Sequence, residues 1–332
     1  MIWRWIDVAE KVQITSDGIR KNLKSIQPAD ALCEYIWNGF DAEATTIRVS
    51  TSKNSFGKID SVSVSDNGHG ISYEELKQKF KPYNDSSKQQ AKATASNHTL
   101  PHGKNGVGRF TFCRFADHAE WVTVYQNSTG EKRRYMIMIN SATLDDYDPE
   151  QTTATDENCG TTVRFFMVQG FEDDQQVLNI VRNEFAWFIA LNEINDFQIF
   201  LNDEPIDFKA AQLNEFTVET TDWDLKQQYV IRLVLWKKSL GDEFSRFYFI
   251  DSMGKEAYKK TTTFNKKSDE YYHSVYIQSS YFNDFIFDPL EVSGQTGTFP
   301  TRSDEEFKLL MANINDELAQ RRKAFLNDKK DK

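Results

Sequence analysis

An α+β fold in two parts is what this sequence predicts, and three observations carry that expectation. Up to about residue 208, amphipathic helical segments are interleaved with short strands of period two. From about 209 the pattern changes to a succession of strands. One long amphipathic helix over 303–325 then follows, with a short charged tail at 327–332. At 332 residues the chain can build two cores. The 14% aromatic content, 25 Phe included, argues for cores that are well filled.

Taken in order, residues 1–14 carry Trp3, Trp5 and Ile6 ahead of the first element. Thr15–Ser25 reads as a short helix. Pro28 starts the next one at a position that tolerates it, and Leu32, Ile36 and Phe40 stack at i, i+4 and i+8 to form its core stripe up to about Ala44. Alternation predicts strands at Thr45–Thr51 (Ile47, Val49) and Ile59–Ser65 (Ile59, Val62, Val64), then a short helix at Tyr73–Phe80. Residues 82–103 are polar and without apolar period. A stretch that long inside a domain is a lid or an insert. Helix is expected again over Gly106–Phe115, and strands at His118–Gln126, Lys132–Asn140 and Thr161–Val168. Gln175–Leu191 is an amphipathic helix with Val177, Ile180, Val181, Phe185 and Phe188 inward, and 197–206 is a strand, turn and strand. Further strands are expected at Gln228–Trp236, Phe244–Ile250, Tyr271–Ser279 and Phe282–Phe287. The last helix opens on a Ser303/Glu306 capping box and carries Phe307, Leu310, Met311, Ile314 and Leu318.

Composition removes several function classes. The net charge of −10 argues against a surface that grips nucleic acid as a whole, so any DNA contact would need a local basic patch. Cys33, Cys113 and Cys159 are odd in number and form no C-x-x-C pair, which points to a reducing compartment with neither disulfide framework nor zinc. Cys33 adjoins Glu34 but is turned about 100° away on the helix, toward the core. No apolar run approaches the ~20 residues of a membrane span, and charges interrupt the N-terminal segment, so a cytoplasmic protein without a signal peptide is expected.

The chemistry concentrates in three places. Within ALCEYIWNGFDAEA, residues 31–44, Glu34, Asn38 and Asp41 fall at i, i+4 and i+7 on one helical face, followed by Ala42. Just past the second strand stands Asp66-Asn67-Gly68-His69-Gly70. A second glycine loop, Gly103-Lys104-Asn105-Gly106-Val107-Gly108, opens the next helical segment. The P-loop pattern G-x-x-x-x-G-K-[ST] does not occur.

In this order the motifs resemble those of the GHKL ATPases: gyrase B subunits, heat-shock chaperones of the ninety-kilodalton class, histidine kinases, MutL and MORC proteins. E-x-x-x-N-x-x-D-A is similar to their N-box, D-N-G-x-G to the adenine loop, and G-x-x-G-x-G to the second glycine box. Asn158-Cys159-Gly160-Thr161-Thr162-Val163 is similar to their last, Gly-Thr-bearing strand. The resemblance covers roughly residues 15–200 and implies a Bergerat-type ATP-binding α/β sandwich over 15–208. The strands-then-helix order of 209–326 resembles the smaller α/β transducer domain of gyrase B, MutL and MORC-type proteins.

Roles follow from that likeness. Glu34 is the expected general base for water and Asn38 the side-chain ligand of Mg²⁺, an ion that takes few protein ligands. Asp41 is expected in the same water and nucleotide network. Asp66 offers an acceptor to the exocyclic amine of adenine, with Gly68 and Gly70 letting the backbone approach the base. The N–H groups of Gly103, Lys104, Asn105, Gly106, Val107 and Gly108 would cradle phosphate at a helix start; Lys104 either adds charge to the γ-phosphate or is a solvated loop lysine. Thr161 is the better of two threonines for contacting nucleotide, and His69 reads as loop surface. In the loop 294–302, Arg302 is the candidate cation for the γ-phosphate, with Lys255 and Lys259 behind it; pairing with Asp304 is the ordinary alternative.

The implied activity is hydrolysis of ATP with Mg²⁺, coupled to closure of an ATP-dependent homodimer in which 82–103 form the ATP lid; residues 1–14 either strap the dimer partner, as in similar ATPases, or pack their tryptophans on their own domain. Output would pass to a protein partner, a further domain or DNA. A nucleotide-gated scaffold with little turnover is the alternative. A kinase module of the histidine-kinase type is disfavoured, because no histidine precedes His69.

Overall fold

The structure, a computed structural model, describes residues 15–76, 107–287 and 300–331. The segments 1–14 and 82–103, the residues Lys104, Asn105 and Gly106, and 294–299 of the cation loop lie outside the described residues. Two compact units divide the chain. The first closes at Asp174 and the second opens at Gln175, upstream of the 208/209 boundary expected from the strand pattern. Among the described residues no helix is long and apolar enough to cross a membrane.

In the first unit, α1 (Ser16–Leu23) starts where the Thr15 side chain accepts the N–H of Gly18. Then α2 (Pro28–Asp41) buries Leu32, Ile36 and Phe40 as the 3.6 period requires, together with Cys33, Tyr35 and Trp37. Antiparallel strands follow: β1 (Thr46–Lys53), β2 (Ile59–Asp66), β3 (His118–Gln126), β4 (Lys132–Asn140), the two-residue β5 (Asp148–Pro149) and β6 (Thr153–Ala154), and β7 (Gly160–Phe166). Within this unit they lie in the order β5-β4-β3-β7-β2-β1, with β6 also on β4. The register sets Ser65 opposite Thr162 and Thr123 opposite Thr161, so the end of β2 and the start of β7 are neighbours. Ile47, Val49, Val62, Val64, Val163, Phe165 and Trp121 are buried, while Arg48 and Arg164 are exposed. This is the half-solvated sheet that alternation predicts.

Two local expectations change here. The helix expected over Gly106–Phe115 is a 3-10 segment, Gly108–Arg114, with Phe110 N–H on the Val107 carbonyl and Phe115 N–H on that of Phe112. Its aromatic and β-branched content (Phe110, Thr111, Phe112) favours helix poorly, and seven residues are too few for propagation to offset nucleation. Of the helix expected at Tyr73–Phe80, the described part is a turn in which Leu76 N–H reaches the Tyr73 carbonyl.

The second unit holds most of α3 (Asp174–Leu191), the hairpin β8 (Gln198–Leu201) and β9 (Glu204–Pro205), and a five-stranded sheet. That sheet comprises β10 (Gln212–Val218), β11 (Val230–Trp236), β12 (Arg246–Ile250), β13 (Glu256–Thr261) and β14 (His273–Gln278), in the order β10-β11-β14-β12-β13. Only β12 and β14 run parallel among the ladders of this sheet. One face places Ile231, Leu233, Phe247, Phe249, Val275 and Ile277 in a core with Phe307, Leu310, Ile314 and Leu318 of α4 (Glu305–Lys330). The other face stacks Tyr276 on Tyr248 and Tyr248 on Trp187 of α3, and the Tyr276 hydroxyl donates to the Trp187 carbonyl at 2.9 Å. Helices therefore cover both faces, which is why β14 is buried almost along its length.

The capping box expected at Ser303/Glu306 does not form. Asp304 is the N-cap residue, and Glu306 instead accepts the N–H groups of Lys226 and Gln227 and the Tyr229 hydroxyl. Backbone donors left by the 226–227 turn outcompete a local cap for that carboxylate. The helix also runs through the residues expected as a tail, to Lys330. Lys329 pairs with Glu270 there, and cations in the last turn suit the helix dipole. The strand expected at Phe282–Phe287 is a 3-10 turn over Ser280–Phe282 followed by a single bridge from Ile286 to Thr301. Phe282, Phe285 and Phe287 pack on one another and on Phe307, so core packing replaces a ladder.

Candidate functional site

Glu34, Asn38 and Asp41 occupy one half-buried stripe of α2, flanked on both sides by buried residues. The start of the 3-10 segment meets that stripe. A Cβ at Gly108 would stand 2.9 Å from Glu34 Oε2 and 3.9 Å from Asn38 Nδ2. A side chain there would press on the Glu34 carboxylate and fill space beside Asn38, so glycine leaves the region in front of both polar groups open. Val107, half-buried, caps the segment. The rest of the glycine box, Gly103 to Gly106, lies outside the described residues.

Asp66 ends β2, and its Oδ1 accepts two backbone N–H groups, from Gly68 at 2.9 Å and from Thr161 at 3.2 Å. Burial pushes the carboxyl above the ordinary aspartate range, outweighing those two N–H donors and the nearby His69. The loop that follows is pinned at several points. Asn67 Oδ1 accepts the N–H groups of Thr45 and Thr46, both at 2.9 Å, and His69 N–H reaches the Ala42 carbonyl at 3.0 Å. Gly70 has φ +75°, and a Cβ there would overlap the Val124 carbonyl, so no other residue fits the turn without strain. His69 is exposed as expected, with Nδ1 2.7 Å from the Gly70 carbonyl.

Thr161 is buried beside Asp66, and its hydroxyl lies 3.0 Å from that of Thr123. Thr123 is wholly buried and also accepts the Ile71 N–H at 2.9 Å. It therefore ties the loop after Asp66 to the strand bearing Thr161. Sequence reading passed over it. The one available signal was a hydroxyl in the inward register of β3, between Trp121 and Tyr125. Tyr35 and Thr111, which join α2 to the 3-10 segment, were passed over as well.

The expected metal ligand is compatible with the donors present. Asn38 supplies a neutral carboxamide, and among the described residues no group of three or more His, Cys, Asp or Glu could hold an ion. Magnesium needs no such cage, since phosphate and water complete its shell.

Arg302 belongs to the second unit, where its guanidinium lies 4.7 Å above the Tyr258 ring and 5.9 Å from that of Phe287. The Asp304 carboxylate bonds to Thr301 and Tyr281. Lys259 is held by Glu243 at 2.9 Å and lies over Trp187. Lys255 donates its backbone N–H to Asp251.

Residues 26–161 match a family model described as histidine kinase-, DNA gyrase B-, and HSP90-like ATPase. The chain is also similar to the crystal structure of the ATPase region of Saccharomyces cerevisiae topoisomerase II, at 13% identity and TM-score 0.46, over 88% of this chain and 85% of that one. An Aquifex aeolicus MutL ATPase domain complexed with ADP is similar at 13% identity and TM-score 0.38, over 76% and 92%. No curated protein matches the chain.

Proposed function

We propose that this protein, whose residues 26–161 match the histidine kinase-, DNA gyrase B- and HSP90-like ATPase family model, binds and hydrolyses ATP with Mg²⁺. The observation that carries the reading is the convergence of Asp66 and Thr161 at one end of the sheet, with Glu34 and Asn38 facing Gly108 on α2. An acceptor suited to an amine and a carboxylate suited to water thus sit on elements of a single unit.

In this reading Asp66 and Thr161 hold adenine, with Gly68 and Gly70 shaping the turn beneath it. The second glycine box, Gly103 to Gly108, receives the phosphates. Asn38 would hold Mg²⁺, which neutralises charge on the phosphate oxygens when bound. Glu34 orients water and takes its proton, and Asp41 supports the same network. ATP closes a homodimer through the lid and strap, and Arg302 supplies a cation to the γ-phosphate from the transducer-like domain. Arg302 lies over the Tyr258 ring and is exposed, which suits such a role. Purified protein should release phosphate from ATP in a Mg²⁺-dependent way. Calorimetry showing no ATP binding, together with no phosphate release above buffer, would remove the proposal. Binding without release would instead favour the nucleotide-gated scaffold.

The raised Asp66 carboxyl sets a pH dependence with a definite sign. The ionised form is the better acceptor for the amine of adenine. ATP affinity should therefore fall as pH is lowered through the folded-state pKa, beginning above the ordinary value of about 4. Fold stability moves oppositely at this group: a raised acid pKa means protonation favours the folded state as pH falls. Titration of an ATP analogue from neutral to acid pH checks this by comparison with Asp66→Asn, in which affinity is already low and the Asp66 component of the pH dependence should vanish. Affinity that declines no earlier than for an exposed aspartate would contradict it.

A further inference from the structure

Two buried hydroxyls join the two elements on which the proposed hydrolysis depends. Tyr35 follows Glu34 on α2, and its phenol enters the 3-10 segment. The hydroxyl donates to the Arg109 carbonyl at 3.0 Å and accepts the Phe112 N–H at 3.1 Å. From the other side, the Thr111 hydroxyl lies 2.7 Å from the Gly108 carbonyl and 3.3 Å from the Ala31 carbonyl of α2. Both residues are almost fully buried, and the Tyr35 ring is wedged against Phe165, Phe115 and Trp121. Burial raises the Tyr35 phenol far above the ordinary tyrosine range, so it stays protonated and keeps its donor role.

The segment these hydroxyls grip has little of its own to hold it. A 3-10 turn makes poorly aligned i→i+3 bonds and seldom persists beyond three or four residues, yet this one spans seven. Its position is set by core packing of Phe110 and Phe112 together with the hydroxyl bonds that cross to α2. That position matters because Gly108 lies so close to Glu34 and Asn38. A displacement of about 1 Å between a base and the group it serves can cost about 10²-fold in rate.

We infer that Tyr35 and Thr111 are positioning residues, which hold the Gly108 end of the glycine box at a set spacing from the Glu34–Asn38 face. This inference rests on the ATPase reading, and it assigns to the two hydroxyls an effect on the chemical step more than on nucleotide affinity. A purely structural role, satisfying buried backbone groups, would change stability without that selectivity.

The test compares Thr111→Val, Thr111→Ser and Tyr35→Phe in the full chain. Steady-state ATP turnover, affinity for a non-hydrolysable ATP analogue and thermal melting are measured for each. Thr111→Val and Tyr35→Phe should lower kcat by about tenfold or more. Analogue affinity should stay within about threefold, a change worth less than half of a tenfold step in free energy. Thr111→Ser, which keeps the hydroxyl, should restore kcat. Folded valine and phenylalanine variants with wild-type kcat would overturn the inference, as would losses of kcat and affinity in parallel with loss of folded protein. If Tyr35→Phe does not fold, the valine/serine pair decides alone, and failure of the valine variant to fold assigns Thr111 a structural role. Inactive wild-type protein sinks the ATPase reading and this inference with it, whereas an active wild type with unaffected variants sinks only the inference.

Discussion

Glu34→Ala is expected to keep Mg²⁺-ATP bound while lowering turnover by about 10²-fold or more, the loss typical of a general base. The carboxylate lies half-buried beside Gly108, so alanine leaves space that water can enter without disturbing the buried face of α2. Fold and affinity should therefore survive. In the proposed cycle hydrolysis releases the dimer, so the variant should also accumulate a closed, nucleotide-bound form. Single-turnover phosphate release and size-exclusion chromatography with ATP check both halves. Parental turnover in the variant would show that another group activates water.

Asp66→Asn should separate stability from binding in the opposite direction. Asparagine can still offer an oxygen to the Gly68 and Thr161 N–H groups, so the loop retains its anchor. It also removes a carboxylate whose ionisation burial opposes, so the melting temperature should hold or rise slightly. What changes is the other edge of the group, where an NH₂ donor replaces a lone pair and confronts the donor amine of adenine. Hydrogen bonds involving charged groups are worth about 1.5–3 kcal/mol, and a reversed donor adds an unsatisfied buried group. ATP affinity should fall by at least about 10²-fold. Calorimetric titration of the folded variant measures this, and an unchanged affinity would take Asp66 out of the nucleotide site.

Much of the fold and the helical face of the candidate site were legible in the residues themselves. The Leu32, Ile36 and Phe40 stripe, the alternation through β3 and β4 and the Phe307–Leu318 stripe each report a local period, and that period survives in the folded chain. The face shared by Glu34, Asn38 and Asp41 is likewise a consequence of helix geometry alone. Elements with weak period were read less well. The strand β13, Glu-Ala-Tyr-Lys-Lys-Thr, is a polar edge strand that went unread, and its burial barely alternates. Periodicity reads the 3-10 segment as a helix because it does not distinguish i→i+3 from i→i+4 bonding over seven residues.

What the sequence by itself determined is which residue types stand on which face of each element, because side-chain direction follows from backbone period and requires no partner. What only the tertiary structure decided is which distant groups those faces meet. Asp66 finds the Thr161 N–H 95 residues away, because β2 and β7 happen to be sheet neighbours. Thr123 reaches Thr161, Tyr35 reaches Phe112, and Glu306 leaves its own helix cap for the backbone of Lys226 and Gln227. A buried hydroxyl or carboxylate bonds to whatever unpaired N–H the packed chain brings within reach, and the strand order that brings it there depends on the whole core rather than on local spacing.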